Sequence, residues 1–268
     1  MIPALFKGLC DDAALFPPGN APLDDALPQH VSYRDTAFAD LVGPFVFPIL
    51  RLDELTSVPS PIDVSLTAPG GPDTVAAGIR AAQSIRGVTV VAVEIAVPEG
   101  TSLDVLGILD RSIDIYVEIP RGTRRAEIFD VVDERGYRAK FRTGGVTADL
   151  YPDEAELAAA IAEAARREIP FKATAGLHHA IRNTAEATGF EQHGYLNVLL
   201  AAQAAHSGAR ARELEQILAI RDPDVVAAHV ASIETERAFL SFGTCSIREP
   251  LDDLISLGLI PPHVHENT

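Results

Sequence analysis

Short β-branched, apolar runs alternate with Ala- and Leu-rich amphipathic stretches along most of the chain, the pattern of parallel βα units. The runs predict strands over Phe45–Leu50, Ile62–Thr67, Val88–Val97, Ile113–Ile119, Tyr137–Arg142, Pro170–Ala175 and Ala238–Gly243. A further run, Ala13–Phe16, stopped by Pro17-Pro18-Gly19, supplies a short first strand. Between them Asp73–Ile85, Ser102–Arg111, Arg124–Arg135 and Pro152–Glu168 read as helices. The last has Pro152 and acidic residues in its first turn, Arg166 and Arg167 in its last, and ends before Pro170, all of which favour the helix dipole and its boundaries.

Eight strands separated by helices predict an α/β fold that closes into one (β/α)8 TIM-type barrel over 1–268, with chemistry at the C-terminal strand ends. An open doubly wound sheet fits less well, because no G-x-G-x-x-G turn follows an early strand. After the seventh strand the pattern changes. Over 177–237 two or three helical stretches, around Tyr195–Ala205, Arg212–Arg221 and Pro223–Ser232, follow one another without a convincing strand, which predicts a helical insertion, either a lid over the barrel mouth or a contact between copies in a homo-oligomer.

Composition narrows the partners. The 268 residues are 47% hydrophobic, enough for a large core, and no linker or repeat divides them. Lys plus Arg number 22 against 38 Asp plus Glu, a net charge of −16 that repels phosphate backbones, so a small-molecule substrate is expected and nucleic acid is not. The two cysteines, Cys10 and Cys245, fit a reducing cytoplasm. No apolar run approaches a membrane span, and no secretion signal is evident, so no membrane partner is expected.

The chain has three lysines, and two of them, Lys140 and Lys172, open glycine-bearing runs at the ends of apolar stretches. A lysine in strand context among cations that are otherwise arginine marks a need for an amine that loses its proton, as a nucleophile or base does. Alternation puts Lys140 and Arg142 on one face of their strand and Lys172 and Thr174 on one face of theirs. Glu94 and Glu118 are the carboxylates placed to meet these cations inside a barrel, and simple ion pairing is the competing role.

These runs resemble those of class I aldolases of the deoxyribose-phosphate aldolase type, a (β/α)8 family in which one strand carries K-x-x-T-G and the next K-x-x-G-G-[IV]-R. Here Lys140-Phe141-Arg142-Thr143-Gly144 matches the first, and Lys172-Ala173-Thr174-Ala175-Gly176-Leu177-His178 matches the second in part. Glu94-Ile95-Ala96-Val97-Pro98 stands where the family has an acidic strand end, and Phe242-Gly243-Thr244-Cys245-Ser246 where it has its last strand, followed by a leucine-rich helix at Leu251–Leu259. The likeness spans about half the chain. This chain departs from the family pattern in having Glu94 for Asp, Ala175 for the first glycine and His178 for Arg, and in its insertion.

The resemblance implies a carbon–carbon lyase acting on a small oxo compound through a Schiff base, with no cofactor. It implies that Lys140 forms the imine, Lys172 tunes it and Glu94 moves protons. It places Thr143, Gly144, Thr174, Gly176, Gly243, Thr244 and Ser246 around the substrate, with His178 where the family has its arginine; Arg142, absent from the family pattern, and Glu118 join them from their own strand positions as substrate-binding residues. Two further functions fit the same residues: an enolate-stabilising isomerase or dehydratase of a carboxylate, with or without a divalent metal, and a non-catalytic barrel that binds a small anion. His178 and His179 read as hydrogen-bonding loop residues and not metal ligands, so no metal is assigned; Cys245 reads as a pocket-wall residue, Asp11 and Asp12 as an N-terminal turn, and His263 and His265 as tail residues.

Overall fold

The computed structural model describes residues 1–104, 106, 112–233, 237–262 and 264. Eight parallel strands close into a barrel: β1 (Cys10–Asp12), β2 (Val42–Pro48), β3 (Ile62–Ala68), β4 (Val88–Ile95), β5 (Asp114–Glu118), β6 (Arg138–Arg142), β7 (Phe171–Thr174) and β10 (Phe239–Thr244), with β1 pairing both β2 and β10. The strands intervening in sequence, β8 (Asn183–Thr184) and β9 (Glu191–Gln192), form a separate antiparallel hairpin. Helices α1 (Leu23–Ser32), α2 (Val75–Gln83), α3 (Arg125–Arg135), α4 (Glu154–Arg166), α5 (Tyr195–His206), α6 (Ala211–Leu218), α7 (Pro223–Ala231) and α8 (Arg248–Ser256) flank the barrel in a TIM-type α/β fold, α5, α6 and α7 all falling between β7 and β10.

Seven strands lie where the apolar runs put them, within a few residues at each end. The first does not: it is Cys10–Asp12, and the Ala13–Phe16 run forms the turn after it, where Phe16 N–H donates to the Ala13 carbonyl. Asp11 and Asp12, expected in a turn, are therefore strand residues. The β8–β9 hairpin was also not foreseen, since two-residue strands leave no alternation to read. Much of the expected helix Ser102–Arg111 lies outside the described residues, as do His263 and His265.

Side-chain alternation divides the strands into two kinds of surface. On β6 and β7 the outward positions are Ala139, Phe141, Phe171 and Ala173, all buried under the helices. The rings of Phe141 and Phe171 pack tilted with centroids 4.8 Å apart, those of Phe171 and Phe239 tilted at 5.3 Å, and Tyr195 of α5 stacks on Phe242 at 4.8 Å, so an apolar aromatic band runs around the outside of this half of the barrel. The inward positions carry Lys140, Arg142, Lys172 and Thr174 instead of the branched apolar residues that usually fill such an interior.

Side-chain caps open two of the helices on this side, α4 and α7. Asp153 accepts the Glu156 N–H at 2.8 Å to start α4, and Asp222, followed by Pro223, accepts the first N–H groups of α7. The 177–237 segment holds the helices α5, α6 and α7. Their apolar faces pack on the flank, α5 against β10, α4, α6 and α7, and α6 also against α4. Tyr195 anchors α5 by donating its hydroxyl to the Pro250 carbonyl at 2.9 Å.

Candidate functional site: a chain of charges along the barrel interior

Strand pairing brings the charged residues together. Lys140 of β6 is the register partner of both Glu118 of β5 and Lys172 of β7, and Arg142 is the partner of Thr174. Their side chains join into one sequence of contacts. Lys172 Nζ donates to Asp11 Oδ2 and to Glu94 Oε1, both at 2.5 Å. Lys140 Nζ lies 3.1 Å from the other Glu94 oxygen and 3.2 Å from Glu118 Oε2, and Arg142 Nε donates to Glu118 Oε1 at 2.9 Å. Asp11, Lys172, Glu94, Lys140, Glu118 and Arg142 thus alternate in sign, three acids with three bases.

Short polar residues complete the valences. Ser65 donates to Glu94 Oε1 at 2.9 Å, Ser241 to Asp11 Oδ2 at 2.8 Å, and the Tyr116 ring lies 5.2 Å from Lys172 Nζ. Among the described residues no buried side-chain nitrogen or oxygen lacks a partner. The chain is deepest at Lys172, 1% exposed, and reaches the surface at Arg142, whose side chain is 37% exposed at the C-terminal end of β6.

Burial and pairing pull the ionisations apart. Burial opposes the charge on Glu94, yet the ammonium groups of Lys172 and Lys140 and the hydrogen bonds from Lys172 and Ser65 outweigh it and hold its pKa down at about 2. Glu118 is lowered in the same way: burial is outweighed by Lys140 and Arg142. Burial also opposes the charge on Lys172, but Asp11 and Glu94 outweigh it and raise its pKa above the ordinary lysine value. Asp11 goes the other way. Burial raises its carboxyl, and Lys172 only partly offsets this, so of the two carboxylates on Lys172, Asp11 is the more basic.

The remaining expected site residues divide. Thr174 and Gly243 are half-buried register partners beside the chain. A Cβ on Gly243 would meet nothing closer than Ala13 at 3.7 Å and Thr174 Oγ1 at 3.8 Å, so the missing side chain leaves room there that the fold does not require. Thr143 is buried, and its hydroxyl donates to the Ala175 carbonyl at 2.5 Å. Gly144 and Gly176 pack backbone to backbone: a Cβ on Gly144 would lie 2.7 Å from the Gly176 Cα, and Gly176 has φ +74°. Ala175, at φ 63°, holds the same left-handed turn as a non-glycine residue. These three positions shape the strand ends.

His178 is half-buried, with Nδ1 3.9 Å from Cys245 Sγ and 3.7 Å from Glu249; burial lowers its pKa and raises that of the thiol. His179 pairs with Asp253, so the two histidines face different partners. Thr244 and Ser246 bond to each other in the turn after β10. Ser65, Tyr116 and Ser241 are not among the residues expected from the sequence, and Asp11, expected in a turn, is the middle residue of a strand too short to show alternation. Among the described residues no helix is long and apolar enough to cross a membrane. In comparisons with known proteins the chain matched no family model, no curated protein and no solved structure.

Proposed function

We propose that this barrel is a Schiff-base lyase of the aldolase kind, acting on a small oxo compound, with Lys140 as the nucleophilic amine. The observation that carries the reading is the bridge at Glu94: one carboxylate touches both lysines, so a proton leaving Lys140 has an acceptor already in contact. An interior built for packing alone avoids burying ionised groups such as Asp11, Lys172, Glu94 and Lys140, because taking charges out of water costs several kcal/mol each before pairing repays it.

In this reading the Lys140 amine attacks the carbonyl carbon, and loss of water leaves an iminium. The iminium takes up the electron pair of the adjacent C–C bond as a hydroxyl on the departing fragment gives up its proton and becomes a carbonyl. Protonation of the resulting enamine at carbon and hydrolysis by one water return the amine. Glu94 and Glu118, both on Lys140, carry the proton transfers. Arg142, reaching the surface beside them, binds an anionic end of the substrate. Lys172 stays an ammonium, holding Glu94 in place.

A second reading, an isomerase or dehydratase that holds an enolate between fixed cations, draws on the same raised pKa of Lys172 and on the exposed Arg142. Reduction with borohydride in the presence of small aldehydes and keto acids separates the two. Mass added at the peptide containing Lys140 supports the lyase, and isomerisation or dehydration of a carboxylate without any adduct supports the enolate reading.

A further inference from the structure

The charge chain has a second end. A cavity of about 160 Å³ lies against Asp11, Lys172 and Ser241, with Ala92 and Tyr116 from the middle of β4 and β5, and it extends to residues at the N-terminal ends of strands: Gly8 just before β1, Asp114 opening β5, and Leu240 near the start of β10. Gly8, Val91, Asp114 and Leu240 are half-buried and form its rim, whereas Asp11, Lys172 and Ser241 are buried at its inner end. The volume is far above the ~10–15 Å³ that one water needs, and the inner end offers a carboxylate, an ammonium and a hydroxyl as partners. The cavity therefore meets the chain at the face of the barrel opposite Arg142.

We infer that Asp11 is the proton store of the site, and that it exchanges protons with solvent through this floor cavity while the carbonyl substrate enters at the mouth. The inference rests on the imine reading of Lys140. Contacts supply the route. Lys140 passes a proton to Glu94 Oε2, Glu94 passes one from Oε1 to Lys172, and Lys172 passes one to Asp11 Oδ2. The balance closes: two cations and two anions become one cation, one anion, a neutral amine at Lys140 and a neutral carboxylic acid at Asp11. The net charge of the four groups is zero before and after, so no uncompensated charge is created in the interior. Reversing the route returns this proton to the hydroxyl that leaves as water when the iminium forms; the proton given up by the substrate hydroxyl on C–C cleavage then takes the same route and is returned through Glu94 to the enamine carbon. Asp11 meets no substrate; it is a positioning residue for protons, and Glu94 is the group that hands them on. Burial, which makes Asp11 the more basic carboxylate on Lys172, suits it to hold the proton.

The test follows two readouts on the intact protein with small aldehydes and keto acids: mass added at Lys140 on borohydride reduction, and exchange of the carbonyl compound's α-hydrogens in D2O followed by NMR. Wild type is expected to show both. Asp11→Asn is expected to reach the wild-type extent of adduct at long incubation, since the imine equilibrium does not depend on which group stores the proton, and to lose about a hundredfold in the rate of exchange, the scale of a general acid or base. Val91→Phe, at the half-buried rim, is expected to keep the adduct and slow exchange as well. A merely structural role for Asp11 would lower both readouts together. If the wild type gives no adduct, the imine reading falls and the relay with it. Should adduct and exchange both persist at wild-type levels in Asp11→Asn, or should wild type form the adduct without exchange, the relay falls while the imine stands. If Asp11→Asn does not fold, Val91→Phe decides, and unchanged exchange in that variant overturns the floor route.

Discussion

Lys140 and Lys172 sit side by side as register partners across β6 and β7 and reach opposite oxygens of one carboxylate, Glu94, at 3.1 and 2.5 Å. Two lysines on one carboxylate are not equivalent. Lys172 has Asp11 as its second partner and is nearly inaccessible, whereas Lys140 has Glu118, which is shared with an arginine that reaches solvent. Position along the chain of charges thus gives the two amines different tasks.

Lys140→Arg is expected to abolish the borohydride adduct while leaving the melting temperature close to wild type, since a guanidinium keeps the pairing with Glu94 and Glu118 but is no nucleophile. Lys172→Arg is expected to retain more of the adduct, because it preserves the local cation. Peptide mapping checks both, and an adduct mainly at the exposed Lys7 would contradict the assignment.

Lys172→Met removes the cation that neutralises Asp11 and Glu94 in a buried interior. Leaving charges unpaired there costs about 3–5 kcal/mol. Urea unfolding at pH 7 measures it, and a loss below ~1 kcal/mol would mean that the interior is far wetter than its contacts indicate.

Two glycines at the strand ends are expected to behave oppositely. Gly243→Ala adds a methyl with ordinary contacts and should change stability by no more than about 0.5 kcal/mol, while reducing adduct formation with bulkier carbonyl compounds. Gly144→Ala drives a methyl to 2.7 Å from the Gly176 backbone and should cost about 2 kcal/mol or more. Thermal and urea melts of the two variants give the comparison.

The buried His193 donates from Nε2 to the Pro152 carbonyl at 2.9 Å and faces Arg182 with Nδ1, and burial lowers its pKa from 6.5 to about 4. A folded-state pKa below the unfolded one means that the unfolded chain binds more protons in this window. Stability from the neutral imidazole is present above pH 6.5 and is lost as pH falls towards 4, by about 2 kcal/mol between pH 7 and pH 5. His193→Gln should lack this component, and urea midpoints of both proteins at the two pH values test it.

The barrel was legible because each long strand announces itself by an apolar run, and the Lys–Arg and Lys–Thr pairs of β6 and β7 stand out at alternate positions in such runs. Asp11 was hidden for the converse reason. β1 has three residues, and alternation over three positions is indistinguishable from a polar turn. Ser65, Tyr116 and Ser241 look like ordinary strand residues until the register across neighbouring strands is known; their roles lie in which side chain they meet. For 177–237 an amphipathic pattern tells that a face is covered and not by what: α5 and α6 pack on the flank of the barrel, against β10 and α4.

The aromatic band outside β6, β7 and β10 has a bearing on how such a protein changes over time. Phe141, Phe171, Phe239 and Phe242 anchor the wall to its helices, while each inward neighbour belongs to the axis and takes no part in that anchorage. Substitutions that swap one complementary set of axial charges for another leave the scaffold's cohesion in the hands of residues that they do not touch. The period of two along a strand thereby separates what is inherited as architecture from what is free to be rewritten as chemistry.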